Sequence, residues 1–181
     1  MKSLTFAIDP GLTGAVAVLI DGLVAYCYDM PVKIRSSRRV RNKHGNMETR
    51  HKYEVDAWML GRLMQPYVAD ARLDNIKPHV VIEQVASRPD QGVASTFNFG
   101  DAFGVARAVS AYLVGNDYVH RVVPTVWKKH FGLLKQDKDA ARIKAIEQTL
   151  LKDLLKRKKD IGRADAILIG LWFGDTQAGV E

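Results

Sequence analysis

The sequence of 181 residues has a single cysteine, Cys27, and no long apolar run. One cysteine excludes an intramolecular disulfide framework and a cysteine-based zinc site, and it favours a reducing compartment. No stretch approaches the roughly eighteen consecutive apolar residues of a membrane span, and the chain does not open on a basic region followed by an apolar stretch. These absences predict a cytoplasmic protein with no membrane partner.

Long low-complexity segments are also missing, and 47% of the residues are apolar. A chain of this length and composition can bury a substantial core, which predicts one α/β domain over residues 1–181. The first part of the chain predicts an antiparallel meander, with strands at 4–9, 14–20 and 23–29. Between the last two strands, Asp21-Gly22 is a strong two-residue hairpin signal.

Negative charge is nearly missing from residues 33–52, where eight basic residues accompany one acid. The remainder of the chain has 19 residues of each sign, so the whole net charge of +7 lies in this segment. Such a concentration is typical of a polyanion-binding arm, although a solvated surface loop is the alternative. Because the segment lacks apolar periodicity, it is predicted to be a mobile loop over about residues 31–53 that becomes ordered on its ligand. Its candidate contacts to such a polyanion are Arg35, Arg38, Arg39, Arg41 and Lys43.

Helical spacing of apolar residues begins again at Glu54, with Pro66 expected to end or kink that helix. Strands are predicted at 79–85 and 118–123, which completes a five-stranded mixed sheet flanked by helices. The later helices are predicted at 97–114, from Pro124, from Asp137 or Asp139, and from residue 160. The helix that starts near Asp137 or Asp139 is expected to bury one apolar stripe, namely Ile143, Ile146, Leu150, Leu151, Leu154 and Leu155.

Three acids stand in apolar surroundings. Asp9 ends the first strand, Glu83 lies near the end of the fourth, and Asp165 shares a helix face with apolar residues. A buried carboxylate costs several kcal/mol unless it is paired, hydrogen-bonded or bound to a metal. The alternatives are structural: Asp9 accepts hydrogen bonds from its own turn, Glu83 pairs with Arg88, and Asp165 stabilises a helix start.

Two strands that each deliver an acid at the same end of a sheet indicate a shared site. Clustered carboxylates repel one another unless cations lie among them, and oxygen ligands without Cys or His favour Mg²⁺ or Mn²⁺. Two such ions roughly 3.5–4 Å apart promote in-line displacement at a phosphodiester. Together with the basic segment, this predicts a nucleic acid held by its backbone.

The motifs Ile8-Asp9-Pro10-Gly11, Val81-Ile82-Glu83-Gln84-Val85 and Ala164-Asp165-Ala166 occur in this order over nearly the whole chain. Their combination resembles the RuvC-type Holliday junction resolvases of the ribonuclease H-like superfamily. The resemblance implies that Asp9, Glu83 and Asp165 bind two Mg²⁺ ions, with Mn²⁺ able to substitute. It also implies a homodimer that nicks a four-way DNA junction symmetrically, with the helix at 97–114 near the dimer interface.

Further candidate site residues come from the same resemblance and from their positions along the chain. Lys128 or Lys129 looks like a family lysine that contacts phosphate near the site, and Lys128 is therefore counted with the catalytic acids. Phe97 and Phe99 could stack on bases, although at least one is expected in the core. Other candidate DNA contacts outside the basic segment are Arg88, Lys129 and Arg163. Residues 91–100 are similar to phage members, which would make the compartment the host cytoplasm.

The sequence departs from the family pattern at two positions. Bacterial members usually carry a fourth acid three residues before the helix acid, where this chain has Gly162, so Asp160 is the doubtful candidate for a fourth metal ligand. They also carry an aromatic shortly after the glutamate, where this chain has Ala86-Ser87-Arg88. Phe97 or Phe99 is the candidate replacement.

Other functions share parts of this pattern. The Asp-Pro-Gly-x-x-Gly turn also resembles the phosphate-binding turn of sugar kinases and actin-like ATPases, which need two such lobes. A non-catalytic junction-binding protein would use the acids structurally. A nuclease acting on branched DNA or RNA–DNA hybrids in general would need the same acids, because substrate shape is determined by loop geometry and dimer spacing.

Overall fold

The computed structural model describes residues 1–84, 86, 92–149 and 151–178, apart from the side chains of residues 138 and 178. The described strands are β1 (Leu4–Asp9), β2 (Ala15–Ile20), β3 (Leu23–Asp29), β4 (Val32–Arg41), β5 (Met47–Val55), β6 (His79–Glu83) and β7 (Val119–Val122). The described α-helices are α1 (Ala57–Leu73), α2 (Val93–Val114), α3 (Pro124–His130), α4 (Lys138–Thr149) and α5 (Ile161–Ala178).

Five strands form a central sheet in the order β3-β2-β1-β6-β7. The pairs β1–β2 and β2–β3 are antiparallel, whereas β6 is parallel to β1 and β7 is parallel to β6. Asp21 and Gly22 both have positive φ, at 55° and 78°, which is the backbone that a tight two-residue hairpin requires. The predicted mixed sheet with three antiparallel strands first is therefore confirmed.

Helices cover both faces of this sheet. Ile167, Leu168 and Ile169 of α5 are fully buried against one face, together with α3 and α4. On the other face, Leu60 and Met64 of α1 pack with α2 against the remaining side chains of β1 and β6. Two apolar clusters thus enclose the central strands, which leaves the ends of those strands as the places where polar groups reach solvent.

The basic segment is a β-hairpin, so the prediction of a loop without regular structure is wrong. β4 and β5 form a separate antiparallel pair, and Val32 lies opposite Val55 while Ile34 lies opposite Tyr53. These β-branched and aromatic pairs at the base of the hairpin stabilise the pairing. The sequence hides this alternation because charged residues occupy most of the intervening positions and the outer half of both strands.

Helix boundaries also differ from the predictions. Pro66 lies inside α1, because Leu60 and Met64 before it and Val68 after it all bury against the sheet and hold the helix together across the missing hydrogen bond. Val55, expected in that helix, belongs to β5 instead. α2 begins four residues earlier than predicted.

The apolar stripe predicted after Asp137 is confirmed in part, because Ile146, Leu154 and Leu155 pack in the core but do not belong to one continuous helix. α4 ends at Thr149, and Leu155 is buried from a short 3₁₀ turn rather than from a continuous helix. Ile143 is 49% exposed, whereas the small residues Ala141 and Ala145 face the core. Small side chains bring α4 close to α5, which a leucine-and-isoleucine pattern could not indicate. Leu150 lies outside the described residues.

Within the described ranges, the structure contains no helix that is both long and apolar enough to cross a membrane. Cys27 is buried as a free thiol on β3.

Candidate metal and DNA-binding site

Asp9 and Glu83 reach the same end of the sheet on neighbouring parallel strands. Ile8 of β1 lies opposite Ile82 of β6, so each acid follows directly after a paired, fully buried residue. Asp165 joins them from α5, which packs on β1 and β2. A cavity of about 520 Å³ opens at this point, and its lining includes Asp9, Asp165 and Lys128.

The carboxyls in this cavity resist ionisation. Burial, followed by the negative charge of Glu83, raises the pKa of Asp9 to about 7. Burial, followed by the charge of Asp9, likewise raises the pKa of Asp165 to about 7. Lys128 acts in the opposite direction on both groups but does not cancel these effects. The three acids therefore interact electrostatically at one place, and Lys128 is the cation that acts on both aspartates there.

Among the described residues, hydrogen bonds leave Asp9 and Asp165 largely unsatisfied. In this part of the chain, Asp9 Oδ1 accepts one long contact, at 3.4 Å, from the Gly11 N–H, so hydrogen bonding from its own turn offsets little of the cost of burying it. Asp165 Oδ1 is buried without a hydrogen-bond partner among the described residues. A buried oxygen of this kind is costly unless an ion or another donor reaches it.

The residues fit a hard divalent cation. No three His, Cys, Asp or Glu side chains in the described ranges are already arranged around one point as a finished metal site. However, the repulsion between Asp9, Glu83 and Asp165 and the unsatisfied Asp165 oxygen are both features that a cation would relieve. Carboxylate oxygens are the ligands that Mg²⁺ and Mn²⁺ prefer.

Trp127 is a site residue that the sequence patterns did not single out. Its indole is fully buried, and Nε1 donates to Glu83 Oε1 at 3.0 Å. The ammonium of the next residue, Lys128, lies 5.0 Å from the same ring. α3 follows β7, which is the neighbour of β6. The helix therefore places the side chains of Trp127 and Lys128 at the end of the sheet where Asp9 and Glu83 lie. The sequence could have indicated Trp127 through its residue type alone, because the indole N–H of a buried Trp generally requires a hydrogen-bond acceptor.

Gly162 explains the missing fourth acid. A Cβ at this position would collide with the Thr13 carbonyl oxygen and lie 2.8 Å from Gly14 Cα. The start of α5 therefore lies directly on the turn that follows Asp9, backbone against backbone. No acidic side chain fits at position 162 without displacing that turn.

Asp160, the candidate fourth ligand, forms an ion pair with Arg157 and does not line the cavity that Asp9 and Asp165 line. Its carboxylate is 4% exposed and accepts hydrogen bonds from Arg157 N at 2.8 Å and from Arg157 Nε at 2.7 Å. Burial acts to raise the pKa of Asp160, but the hydrogen bonds from Arg157 outweigh it and the pKa lies below its ordinary value. The cavity lining includes Gly162 and Ile161 but not Asp160.

The predicted DNA contacts fall into different places. Arg35, Arg38, Arg39, Arg41 and Lys43 are all exposed on the hairpin or its connecting turn. Lys128 lines the acid cavity, and Lys129 is exposed on the same helix. Arg163 is engaged internally, because its Nε donates to Asp29 Oδ1 at 2.5 Å and its Nη1 to the Leu154 carbonyl. Arg88 lies outside the described residues.

The two phenylalanines have different environments. Phe97 is 61% exposed and faces the hairpin, where Arg35 lies over its ring. Phe99 is partly buried, and its Cε2 lies 3.4 Å from where a Cβ of Gly11 would stand. Phe99 thus borders the turn after Asp9, whereas Phe97 remains accessible.

The strand order and the position of the acids define a ribonuclease H-like α/β fold with an acidic site at the end of its central strands. No protein-family model matches the sequence, and no curated protein matches it. A solved structure of T. thermophilus RuvC in complex with a Holliday junction substrate is similar, with a TM-score of 0.57 and 16% identity over 98% of this chain and 96% of that chain. The chain therefore has the fold of RuvC.

Two further solved structures are similar at a lower level. The Thermus thermophilus RuvC structure has a TM-score of 0.49 and 17% identity, covering 97% of this chain and 96% of its own. The yeast mitochondrial Holliday junction resolvase Ydc2 has a TM-score of 0.45 and 14% identity, covering 98% of this chain and 80% of its own. Neither comparison bears on the resemblance to phage members.

Proposed function

We propose that this chain is a metal-dependent endonuclease that nicks four-way DNA junctions. The observation that carries the proposal is the convergence of Asp9, Glu83 and Asp165 beside Lys128 at one end of the sheet. The fold shared with a RuvC that was solved on a Holliday junction substrate supports the choice of a branched DNA. The exposed basic hairpin supports binding through the phosphate backbone.

Asp9, Glu83 and Asp165 would hold two Mg²⁺ or Mn²⁺ ions, which when bound activate a water molecule and stabilise charge on the attacking and leaving oxygens. Asp9 interacts electrostatically with Glu83, and its charge acts on Asp165 more strongly than the charge of Glu83 does, which suits a ligand shared by both ions. Trp127 keeps Glu83 from turning away, since the indole N–H fixes one carboxylate oxygen. Lys128 provides a positive charge for a phosphate oxygen on the open side of the cavity.

Symmetric nicking requires two active sites, and we propose a homodimer that uses α2. Gly100, Gly104 and Ala108 form a stripe of small residues on this helix. In the described part of the chain, a Cβ at Gly100 or at Gly104 would meet no atom within 4 Å. That side of α2 therefore has space for the corresponding helix of a second copy.

Cleavage assays with labelled four-way junction, flap, duplex and RNA–DNA hybrid test this function. We expect the wild type to nick the junction only with Mg²⁺ or Mn²⁺, and Asp9→Asn to lose at least about a hundredfold in rate while it still binds the junction. Asp70→Asn, which changes an exposed acid on α1, is the matched control and should cleave normally. Undiminished cleavage by Asp9→Asn, or no cleavage of any substrate by the wild type, would refute the mechanism.

The same substrates separate the alternative functions. Equal cleavage of flap, hybrid and junction would make the chain a general branched-DNA or hybrid nuclease. Junction binding without metal-dependent cleavage would make it a non-catalytic junction-binding protein. Tight ATP binding in place of DNA binding would support the phosphate-binding turn of a kinase-like protein.

A further inference from the structure

A second cavity, of about 630 Å³, lies between the hairpin and the first turns of α2. The hairpin contributes Arg35, Lys52 and Tyr53 to its lining, and α2 contributes Phe97 and Asn98. The acid cavity is lined by different residues. Sequence patterns do not indicate this cavity, because they predict a loop where the hairpin lies.

A β-bulge directs Arg35 into this cavity. Ile34 pairs with Tyr53 and Ser36 pairs with Lys52, so Arg35 is the extra residue between two consecutive partners. Bulges commonly re-aim one side chain out of the regular alternation of a strand. Here the guanidinium carbon lies over the Phe97 ring, 5.8 Å from its centroid. Two elements far apart in the sequence thus meet through a cation and an aromatic face.

The aromatic groups of the cavity are unusually accessible. Phe97 is 61% exposed and Tyr53 is 46% exposed, although both are large apolar side chains. Exposed aromatic rings beside cations are the stacking platforms on which proteins bind unpaired bases, because every base offers a flat face. The amide of Asn98, also exposed, adds a donor and an acceptor that suit a base edge.

The charge at the cavity favours a phosphate. Arg35 and Lys52 are both exposed there, and Glu54 is an acid in contact with Arg35. Glu54 is shared, since one carboxylate oxygen lies 3.8 Å from Arg35 Nε and the other lies 3.5 Å from Lys33 Nζ. Both contacts are longer than a good hydrogen bond, so Glu54 only partly neutralises these cations.

We propose that this cavity binds one unpaired nucleotide of a DNA strand, with the base stacked on Phe97 and the phosphate held by Arg35 and Lys52. The inference rests on the proposed action on DNA and adds a recognition step to it. Bases inside an intact duplex are stacked on their neighbours and cannot reach this ring, whereas a strand exchange point supplies an unpaired base. The cavity therefore distinguishes distorted or open DNA from regular duplex.

Binding titrations in chelator, where no cleavage interferes, test the proposal. The probes are a short single strand that contains one 2-aminopurine, the same strand in a duplex, and 2-aminopurine deoxyriboside monophosphate. We expect the wild type to quench the base in the single strand, and Phe97→Ala to lose this quenching and about tenfold in single-strand affinity. Duplex affinity should not change, and Phe97→Trp should retain single-strand binding.

Tyr112→Ala is the matched control, because Tyr112 is an even more exposed aromatic on the same helix but lines a different groove. The proposal is overturned if Phe97→Ala binds the single strand as well as the wild type, or weakens single strand and duplex equally. It is also overturned if the monophosphate binds as tightly as the strand, which would make this a free-nucleotide site. If the wild type cleaves no junction but still binds the single strand through Phe97, only the proposed nuclease function is refuted.

Discussion

At the scale of single residues, Asp9 and Asp165 are held where ionisation is unfavourable. Burial raises the pKa of each to about 7 in the metal-free chain, against 3.8 for an ordinary aspartate, and the next largest cause is the charge of Glu83 for Asp9 and the charge of Asp9 for Asp165. The folded chain thus keeps protons that the unfolded chain has lost between about pH 4 and pH 7, so its stability falls as pH rises through this window. This cost to stability is the one expected of a site preorganised for a cation, as proposed above.

We predict that Asp165→Asn stabilises the metal-free protein, by about 2 kcal/mol at pH 8, because it removes a buried charge. The stabilisation by Asp165→Asn should become smaller toward pH 4, where the Asp165 carboxyl of the folded wild type is protonated. Urea denaturation in chelator across this range measures the effect. Adding Mg²⁺ should stabilise the wild type more than the variant. A gain that is equal at both ends of the range would exclude the lost charge as its cause.

A second residue-scale prediction concerns Trp127. Trp127→Phe keeps an aromatic ring in the core but removes the hydrogen bond to Glu83 Oε1. We expect a loss of about 2 kcal/mol in unfolding free energy and about tenfold in cleavage rate, with junction affinity unchanged. Trp58→Phe, which changes a Trp that is 67% exposed on α1, is the control and should alter neither quantity. Normal cleavage by Trp127→Phe would show that Glu83 needs no such support.

At the scale of elements, α5 is positioned by contacts that only glycine permits. A Cβ at Gly162 would collide with the turn after Asp9, and a Cβ at Gly170 would collide with Leu19 of β2. Near its start, the helix is also tied to the end of β3, because Asp29 accepts hydrogen bonds from both Arg157 and Arg163. Asp165, two residues after Arg163, is placed beside Asp9 by this close packing.

The prediction at this scale compares two glycines of α5. Gly162→Ala should destabilise the protein by about 2–3 kcal/mol and lower cleavage, because the backbone of the turn must move. Gly174→Ala, on the same helix but facing open space, should stabilise it by about 0.5–1 kcal/mol through helix propensity. Thermal unfolding of both variants measures these changes in stability. Similar effects at the two positions would contradict the close approach of α5 to the turn.

The same packing limits how the site can be re-engineered. Gly162→Asp places an acid at the family position three residues before Asp165 but cannot keep the present backbone. We therefore expect this variant to gain no metal affinity, as measured by calorimetry with Mn²⁺.

At the scale of the whole molecule, charge is divided between a nearly neutral α/β body and one basic hairpin. β4 and β5 form their own sheet, and Val55 is the hairpin residue that is most deeply buried. The cations therefore project from the body without being needed for its core. In the proposed function, this arrangement would separate DNA binding from folding and from the metal site.

The corresponding prediction replaces Arg38, Arg39 and Arg41 together with glutamine. We expect weaker DNA binding and a shallower dependence of affinity on salt, by roughly 0.9 in the log–log slope for each DNA phosphate that the variant no longer neutralises. Stability and metal affinity should not change. The control neutralises Lys152, Lys156 and Lys158, which are equally exposed near α4. An unaltered salt slope would assign the hairpin charges to solubility rather than to DNA.

The sequence by itself determined the frame of this protein. Local signals were sufficient for the meander, because Asp21-Gly22 dictates a tight hairpin wherever it occurs between strands. They were also sufficient to single out the three acids, because an ionisable group inside an apolar run is conspicuous without any structure. The strand-length apolar runs and the helix between the third and fourth strands led to the expected mixed sheet.

Tertiary structure alone decided how the site is completed. Trp127 and Glu83 are 44 positions apart, and the Gly162 contact joins α5 to a turn almost 150 residues earlier. The role of Asp160 depends on Arg157, and the hairpin cavity depends on a bulge that aims Arg35 at Phe97. Periodicity reports only which face of an element is apolar, whereas these contacts depend on how faces of distant elements meet at the scale of single atoms.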